Sequence, residues 1–178
     1  MTNIATRERH HVPWPTFGWL CRRPISFLAF GFGIGLLRPG SGTWGTLLAF
    51  GLWWPIQHWI AEPWLGALVV LAALAGIWIC AVAGQTLVVA DHVGIVWDEM
   101  VSMWLLLWLL PDNIWVAVAA FVLFRIFDTA KPPPIAWLDR RYKGGLGVML
   151  DDWVAALYAG ILVAVGWYGI LPIWQGVA

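Results

Sequence analysis

The chain has 178 residues, 61% of them hydrophobic and only 11% charged, with zero formal net charge and a mean hydropathy of +0.78. A soluble domain carries about 25% charged residues, so this chain cannot cover its surface with solvated groups, and lipid is the surrounding that such a composition fits. The balanced charge also argues against a nucleic-acid partner, which would require a basic surface.

In chain order, residues 1–24 form a polar tail and residues 25–178 a single membrane-embedded domain. Arg22 and Arg23 precede an apolar stretch at 25–37, but Gly31, Gly33 and Gly35 interrupt it and no small-residue cleavage pattern follows, which disfavours a cleaved signal peptide. This stretch is too short and too rich in glycine to span readily, so it is expected to lie at the interface or to re-enter partway. Spanning helices need about 20 mostly apolar residues. Five segments approach that length: 44–60, which also contains Pro55, Gln57 and His58; 64–83, which has no charge; 94–110; 114–127, joined to its predecessor by a tight Pro111-Asp112-Asn113 turn; and 152–173. The expected fold is therefore all-α, a polytopic bundle of about five spans. Sixteen tryptophans suit the two bilayer interfaces. Cys21 and Cys80 stand far apart and match no metal or redox spacing.

The ten basic residues occupy three places: Arg7, Arg9, Arg22, Arg23 and Arg38 before the first span; Arg125 and Lys131 at the end of the fourth; and Arg140, Arg141 and Lys143 in the loop after it. Under the positive-inside rule the N-terminus is cytoplasmic and the C-terminus external. The same alternation brings Asp91, Asp98, Glu99, Asp128, Asp151 and Asp152 to the cytoplasmic face, six of the ten carboxylates. Ionisable groups beside membrane helices are costly and are functional candidates by default.

Asp98 and Glu99 sit near the start of an apolar helix. Asp91, seven residues or close to two helical turns before Asp98, shares a face with Asp98 if the helix extends that far back. Such carboxylates suit a hard divalent cation with oxygen ligands; the alternative is an acidic first turn that complements the helix dipole. Asp151 and Asp152 precede the last span, where capping is an equal alternative. Arg125, Asp128 and Lys131 recur every three residues before Pro132, Pro133 and Pro134 end the helix. Arginine and lysine suit phosphate oxygens, whereas interfacial anchoring would explain the two cations but not Asp128. Two glycine-rich loops, 40–46 and 144–147, offer backbone N–H groups to an anion. Neither is a P-loop, and glycines are equally ordinary in membrane turns. Only His92 among the histidines adjoins the site, which disfavours a phosphohistidine mechanism.

Together these stretches resemble the phosphatidylglycerophosphatase A family. The resemblance rests on Gly31-Phe-Gly-Ile-Gly35 through Gly42-Thr-Trp-Gly45, Ile95-Val-Trp-Asp-Glu-Met100, Phe124-Arg-Ile-Phe-Asp128 with Lys131-Pro132, and Gly144-Gly-Leu-Gly-Val-Met149 with Asp151-Asp152. Ser41, Thr46 and Ser102 depart from its usual pattern. The resemblance implies a bacterial inner-membrane, Mg²⁺-dependent hydrolase that converts phosphatidylglycerophosphate to phosphatidylglycerol and phosphate, with residues 25–178 as its catalytic domain and the site facing the cytoplasm. Asp91, Asp98, Glu99, Asp151 and Asp152 would serve the metal. Arg125, Lys131, Gly42, Thr43, Gly144 and Gly145 would bind the substrate. Asp128, Arg125, Lys131, Asp98 and Asp152 would carry the chemistry, either by direct attack of water or through a phosphorylated carboxylate, with Asp128 as the candidate nucleophile. The alternatives are a phosphatase of another membrane lipid phosphate and a proton-coupled transporter that uses its carboxylates as a relay. Oligomeric state is not read from the sequence.

Overall fold

A computed structural model describes residues 13–89 and 91–170. Every regular element among them is helical: α1 (Phe17–Cys21), α2 (Pro24–Ala29), a 3₁₀ segment (Gly31–Leu36), α3 (Ser41–Trp59), α4 (Glu62–Leu87), α5 (Trp97–Leu109), α6 (Ile114–Ala130), α7 (Ile135–Arg141) and α8 (Gly145–Ala164), which runs on into a π-helical turn (Val165–Ile170). Half of the polar tail, residues 1–12, and the end of the expected 152–173 span lie outside the described residues.

The shortest of the long helices is the centre of the bundle. α5 buries Met100, Val101, Ser102, Met103, Trp104, Leu106 and Leu107, around most of its circumference, and packs against α3, α4, α6 and α8. A helix apolar on all sides belongs inside. The outer helices instead keep large apolar side chains on the surface: Leu71, Leu74 and Trp78 of α4, and Leu157, Ile161 and Leu162 of α8, are each at least half exposed. Water would oppose so large an apolar exterior, and hydrocarbon would not.

Two helices, α4 and 145–169, are long and apolar enough to cross a membrane. The remaining expected spans are less clear by that measure. α5 has 13 residues and α6 has 17, whereas α3 has 19 but includes Pro55 and His58. α5 is short because residues 91–96 do not join it. They form a loop in which Ile95 N–H donates to the His92 carbonyl (2.8 Å) and Val96 N–H to the Ala29 carbonyl of α2 (2.9 Å). The helix therefore does not extend back to Asp91. The Pro111-Asp112-Asn113 turn is confirmed, with Asn113 accepting the Trp115 N–H at 2.9 Å as the cap of α6.

The long helices alternate in direction. The starts of α3 and α5, the second turn of α8 and the end of α6 line one cavity, while the α3–α4 turn and Asp112 meet at the opposite end. Exposed Trp59, Trp64 and Trp115 belong to that far end, where amphipathic rings suit a membrane interface. α4 and α8 approach closely at Gly145, where a Cβ would collide with the Ile77 carbonyl. Gly51 of α3 has nothing near its Cβ position. Gly145→Ala should therefore destabilise the protein by about 1–3 kcal/mol, and Gly51→Ala should be neutral or stabilising. Thermal unfolding in detergent compares them; equal behaviour would show that Gly145 does not set the helix spacing.

Candidate active site

Carboxylates in an otherwise apolar bundle must find positive charge or one another. Here they gather around a cavity of about 320 Å³ lined by Asp91, Asp98, Glu99, Asp128, Asp151 and Asp152, with Arg125 and Lys131 as its cations. Asp98 and Glu99 enter from the first turn of α5. Asp151 and Asp152 lie about two turns inside α8, which starts at Gly145, and both are buried. That position removes the helix-capping reading, because capping serves the free N–H groups of the first turn.

Arg125 is the junction of three helices. Its Nη1 lies 2.8 Å from Asp128 Oδ2 of its own helix and 3.3 Å from Glu99 Oε1 of α5. It also donates to Thr46 Oγ1 of α3 at 3.4 Å, and Thr46 in turn donates to the Gly42 carbonyl at 2.8 Å. Lys131 ends α6 in a left-handed conformation, with φ 43° and ψ 57°, an uncommon state for a residue with a side chain. That turn and the prolines after it direct the chain into α7. Lys131 Nζ pairs with Asp139 of α7 at 3.2 Å and with Asp151 of α8.

These pairs leave acceptors over. Asp98 Oδ1, Glu99 Oε2, Asp151 Oδ1 and Asp152 Oδ2 are buried without hydrogen-bond partners. Six carboxylates against two cations leave an excess of four formal negative charges around the cavity. At an effective dielectric of 20, two like charges 4 Å apart repel by about 4 kcal/mol. A phosphate dianion entering such a cavity meets the same repulsion. The orphaned oxygens and the charge excess both fit a hard divalent cation. Among the described residues, no three His, Cys, Asp or Glu side chains are grouped closely enough to cage a metal ion alone. Mg²⁺ does not need a full cage, since it keeps several waters and shares its ligation with substrate phosphates.

Of the residues expected to touch substrate, Gly42, Arg125 and Lys131 line the cavity, whereas Thr43, Gly144 and Gly145 do not. Thr43 is exposed on α3, Gly144 precedes α8 with φ 79°, and Gly145 packs against α4. The cavity also contains Ser41, His92, Val93 and Thr129. Ser41 donates from its hydroxyl to the Val93 carbonyl, tying the start of α3 to the 91–96 loop. His92 is wedged between Trp14 and Phe30, with ring centroids at 5.2 and 5.5 Å. Burial first, and then the charge of Arg38, lowers its imidazole from 6.5 to about 4, so the ring is neutral at physiological pH. The sequence placed His92 beside the site but gave it no task.

Gly42 sets how closely α3 approaches the acidic pair. A Cβ there would overlap the Glu99 carboxylate and crowd Arg125. Gly42→Ala should therefore reduce turnover at least tenfold without removing any charge, by displacing the Glu99–Arg125 pair. Steady-state phosphate release by the folded variant checks this, and unchanged turnover would show that the pair tolerates displacement.

The family model described as phosphatidylglycerophosphatase A matches residues 27–167. The chain is 45% identical to phosphatidylglycerophosphatase A of Escherichia coli, over 80% of this chain and 84% of that protein. It is 40% identical to the protein of the same name from Haemophilus influenzae, over 79% and 86%. It is also 42% identical, over 76% and 88%, to a Bacteroides thetaiotaomicron protein with the provisional name phosphatidylinositol-3-phosphatase. Comparison with solved structures finds no match. A family match over most of the chain, spanning every cavity-lining residue, identifies this protein as a member of the phosphatidylglycerophosphatase A family.

Proposed function

We propose that this protein hydrolyses the phosphomonoester of phosphatidylglycerophosphate, releasing phosphatidylglycerol and phosphate in phospholipid biosynthesis. The observation that carries the reading is the cavity in which Arg125 and Lys131 stand among six carboxylates, in a chain 45% identical to a protein named for that activity. The protein is read as a multi-pass protein of the bacterial inner membrane, with five helices crossing and the cavity facing the cytoplasm. The alternating helices and the basic residues at the cavity end, Arg125, Lys131, Arg140 and Arg141, support that orientation.

Asp91, Asp98, Glu99, Asp151 and Asp152 are the residues that would hold Mg²⁺. When bound, the ion would supply neutralising charge and Lewis-acid polarisation to the phosphoryl group. The chain's own groups do the rest. The Arg125 guanidinium offers a planar fork of donors to two phosphoryl oxygens, and Lys131 offers a point charge to a third. Charge grows on the peripheral oxygens as the phosphoryl group transfers, so donors already in place stabilise the transition state without reorganising. Asp128, held by Arg125 at 2.8 Å, is the carboxylate assigned either to take the proton of an attacking water or to attack phosphorus itself. Thr46 of α3 also accepts from Arg125 Nη1, at 3.4 Å.

A second reading, a phosphatase of another membrane lipid phosphate, is favoured by the similarity to the Bacteroides protein. Phosphate release from a panel of purified lipid phosphates, with and without chelator and Mg²⁺, separates the two. Hydrolysis of phosphatidylglycerophosphate well above the rest is expected. Comparable rates on inositol phospholipids would favour the second reading. Chelation should abolish turnover and Mg²⁺ restore it, while Asp98→Asn and Glu99→Gln should be inactive yet inserted. Full activity in either variant would remove that residue from the metal site.

Arg125→Lys keeps the charge but loses the fork, so it should lower kcat/KM by roughly 10²-fold, the scale of one strong transition-state contact. Near-normal turnover would leave Lys131 as the main phosphate cation. Topology is tested separately: a reporter after Ala178 should be periplasmic and one near Arg140 cytoplasmic, and the same side for both would refute five crossings.

A further inference from the structure

One polar group in the cavity wall has no role in the mechanism above. The His92 imidazole is 1% exposed and lines the cavity. Its Nδ1 accepts the backbone N–H of Gly94 at 2.9 Å. An atom that accepts a hydrogen bond presents a lone pair, so in the neutral ring the proton resides on Nε2. That Nε2 is buried and has no partner. A buried donor without an acceptor is costly, and here the ring is poorly placed to turn away. Trp14 and Phe30 hold it on two sides. Its own carbonyl is engaged by Ile95 N–H, and Ser41 fixes the neighbouring Val93 carbonyl. The tautomer also decides what this atom can bind. With its lone pair on Nδ1 and committed to Gly94, the ring offers no electron pair to a cation in the cavity. It offers a hydrogen to an acceptor oxygen. Arg38, stacked on Trp14 at 3.7 Å, adds positive charge behind the same wall.

We propose that His92 is a phosphoryl-binding residue, whose Nε2–H donates to an oxygen of the bound phosphate group, and that it is not a metal ligand. The proposal rests on the phosphatase reading for its substrate but is tested with inorganic phosphate, the product any such enzyme releases. In the full-length wild-type protein in detergent, ¹⁵N-histidine NMR should show the His92 ring protonated at Nε2, and titration with inorganic phosphate in the presence of Mg²⁺ should shift that resonance. His92→Ala should raise both KM and the inhibition constant for phosphate about tenfold, corresponding to 1.4 kcal/mol. Its Mg²⁺ concentration for half-maximal activity should be unchanged. His92→Gln, which places an amide donor near the Nε2 position, should recover most of the loss. A ring protonated at Nδ1, a resonance that phosphate does not move, or a His92→Ala variant altered in Mg²⁺ rather than phosphate dependence would overturn the assignment. The wild-type NMR titration decides the matter even where the variants do not fold. Absence of lipid-phosphate hydrolysis by the wild type would instead refute the phosphatase reading, whatever His92 does with inorganic phosphate.

Discussion

Keeping six carboxylates at one end of an apolar bundle demands positive charge, and the surrounding architecture is organised to supply it. Arg125 and Lys131 do so within the chain, and each binds across elements. Arg125 of α6 reaches α5 through Glu99 and α3 through Thr46. Lys131 reaches α7 through Asp139 and α8 through Asp151. The two residues best suited to grip a phosphate therefore also join the helices at the cavity end. These pairs are partly buried, so breaking one is costly, because it strands the partner charge. The compensation is incomplete, and the orphaned oxygens of Asp98, Glu99, Asp151 and Asp152 remain.

Backbone geometry places those charges. The first residues of α3 can lie against Glu99 because position 42 has no side chain. The left-handed turn at Lys131 and the three prolines after it bend the chain into α7, which returns Asp139 to Lys131. Residues 91–96 are not a helical extension of α5. They fold as a loop over the cavity, bonded to α2 and tied to α3 through Ser41. The loop contributes four lining residues, Asp91, His92, Val93 and Ile95, that a straight helix would have oriented by helical spacing alone.

The grouping of the acids also bears on what kind of machine this is. A proton-coupled transporter places ionisable groups near the membrane midplane, commonly between internal repeats. Here the acids line one cavity at one end of alternating helices, and the chain belongs to a family named as phosphatases. An end-on cavity with outward-facing apolar helices beside it suits a lipid whose headgroup is processed while its chains stay in hydrocarbon.

Much of the site was legible in the amino-acid sequence because charge stands out against an apolar background. A carboxylate within a hydrophobic run has few structural uses, so Asp98, Glu99, Asp151 and Asp152 announced themselves, as did Arg125, Asp128 and Lys131 ahead of the prolines. The order of the helices and the 111–113 turn were legible for the same reason, since apolar runs and proline are local signals. The start of α8 was not, because Gly144, Gly145 and Gly147 read equally well as loop or helix. Only packing against α4 shows that the helix begins at Gly145, which moves Asp151 and Asp152 out of capping positions and into the buried wall. The tertiary structure likewise decided that Asp91 joins the cavity through a loop, and that His92 has one nitrogen engaged and the other waiting. A hydrogen bond from Gly94 and two aromatic neighbours distant in the chain settle that state, and no periodicity encodes them. Composition and local pattern determine which residues are too costly to be incidental, but the direction each side chain faces depends on contacts between segments that are far apart in sequence.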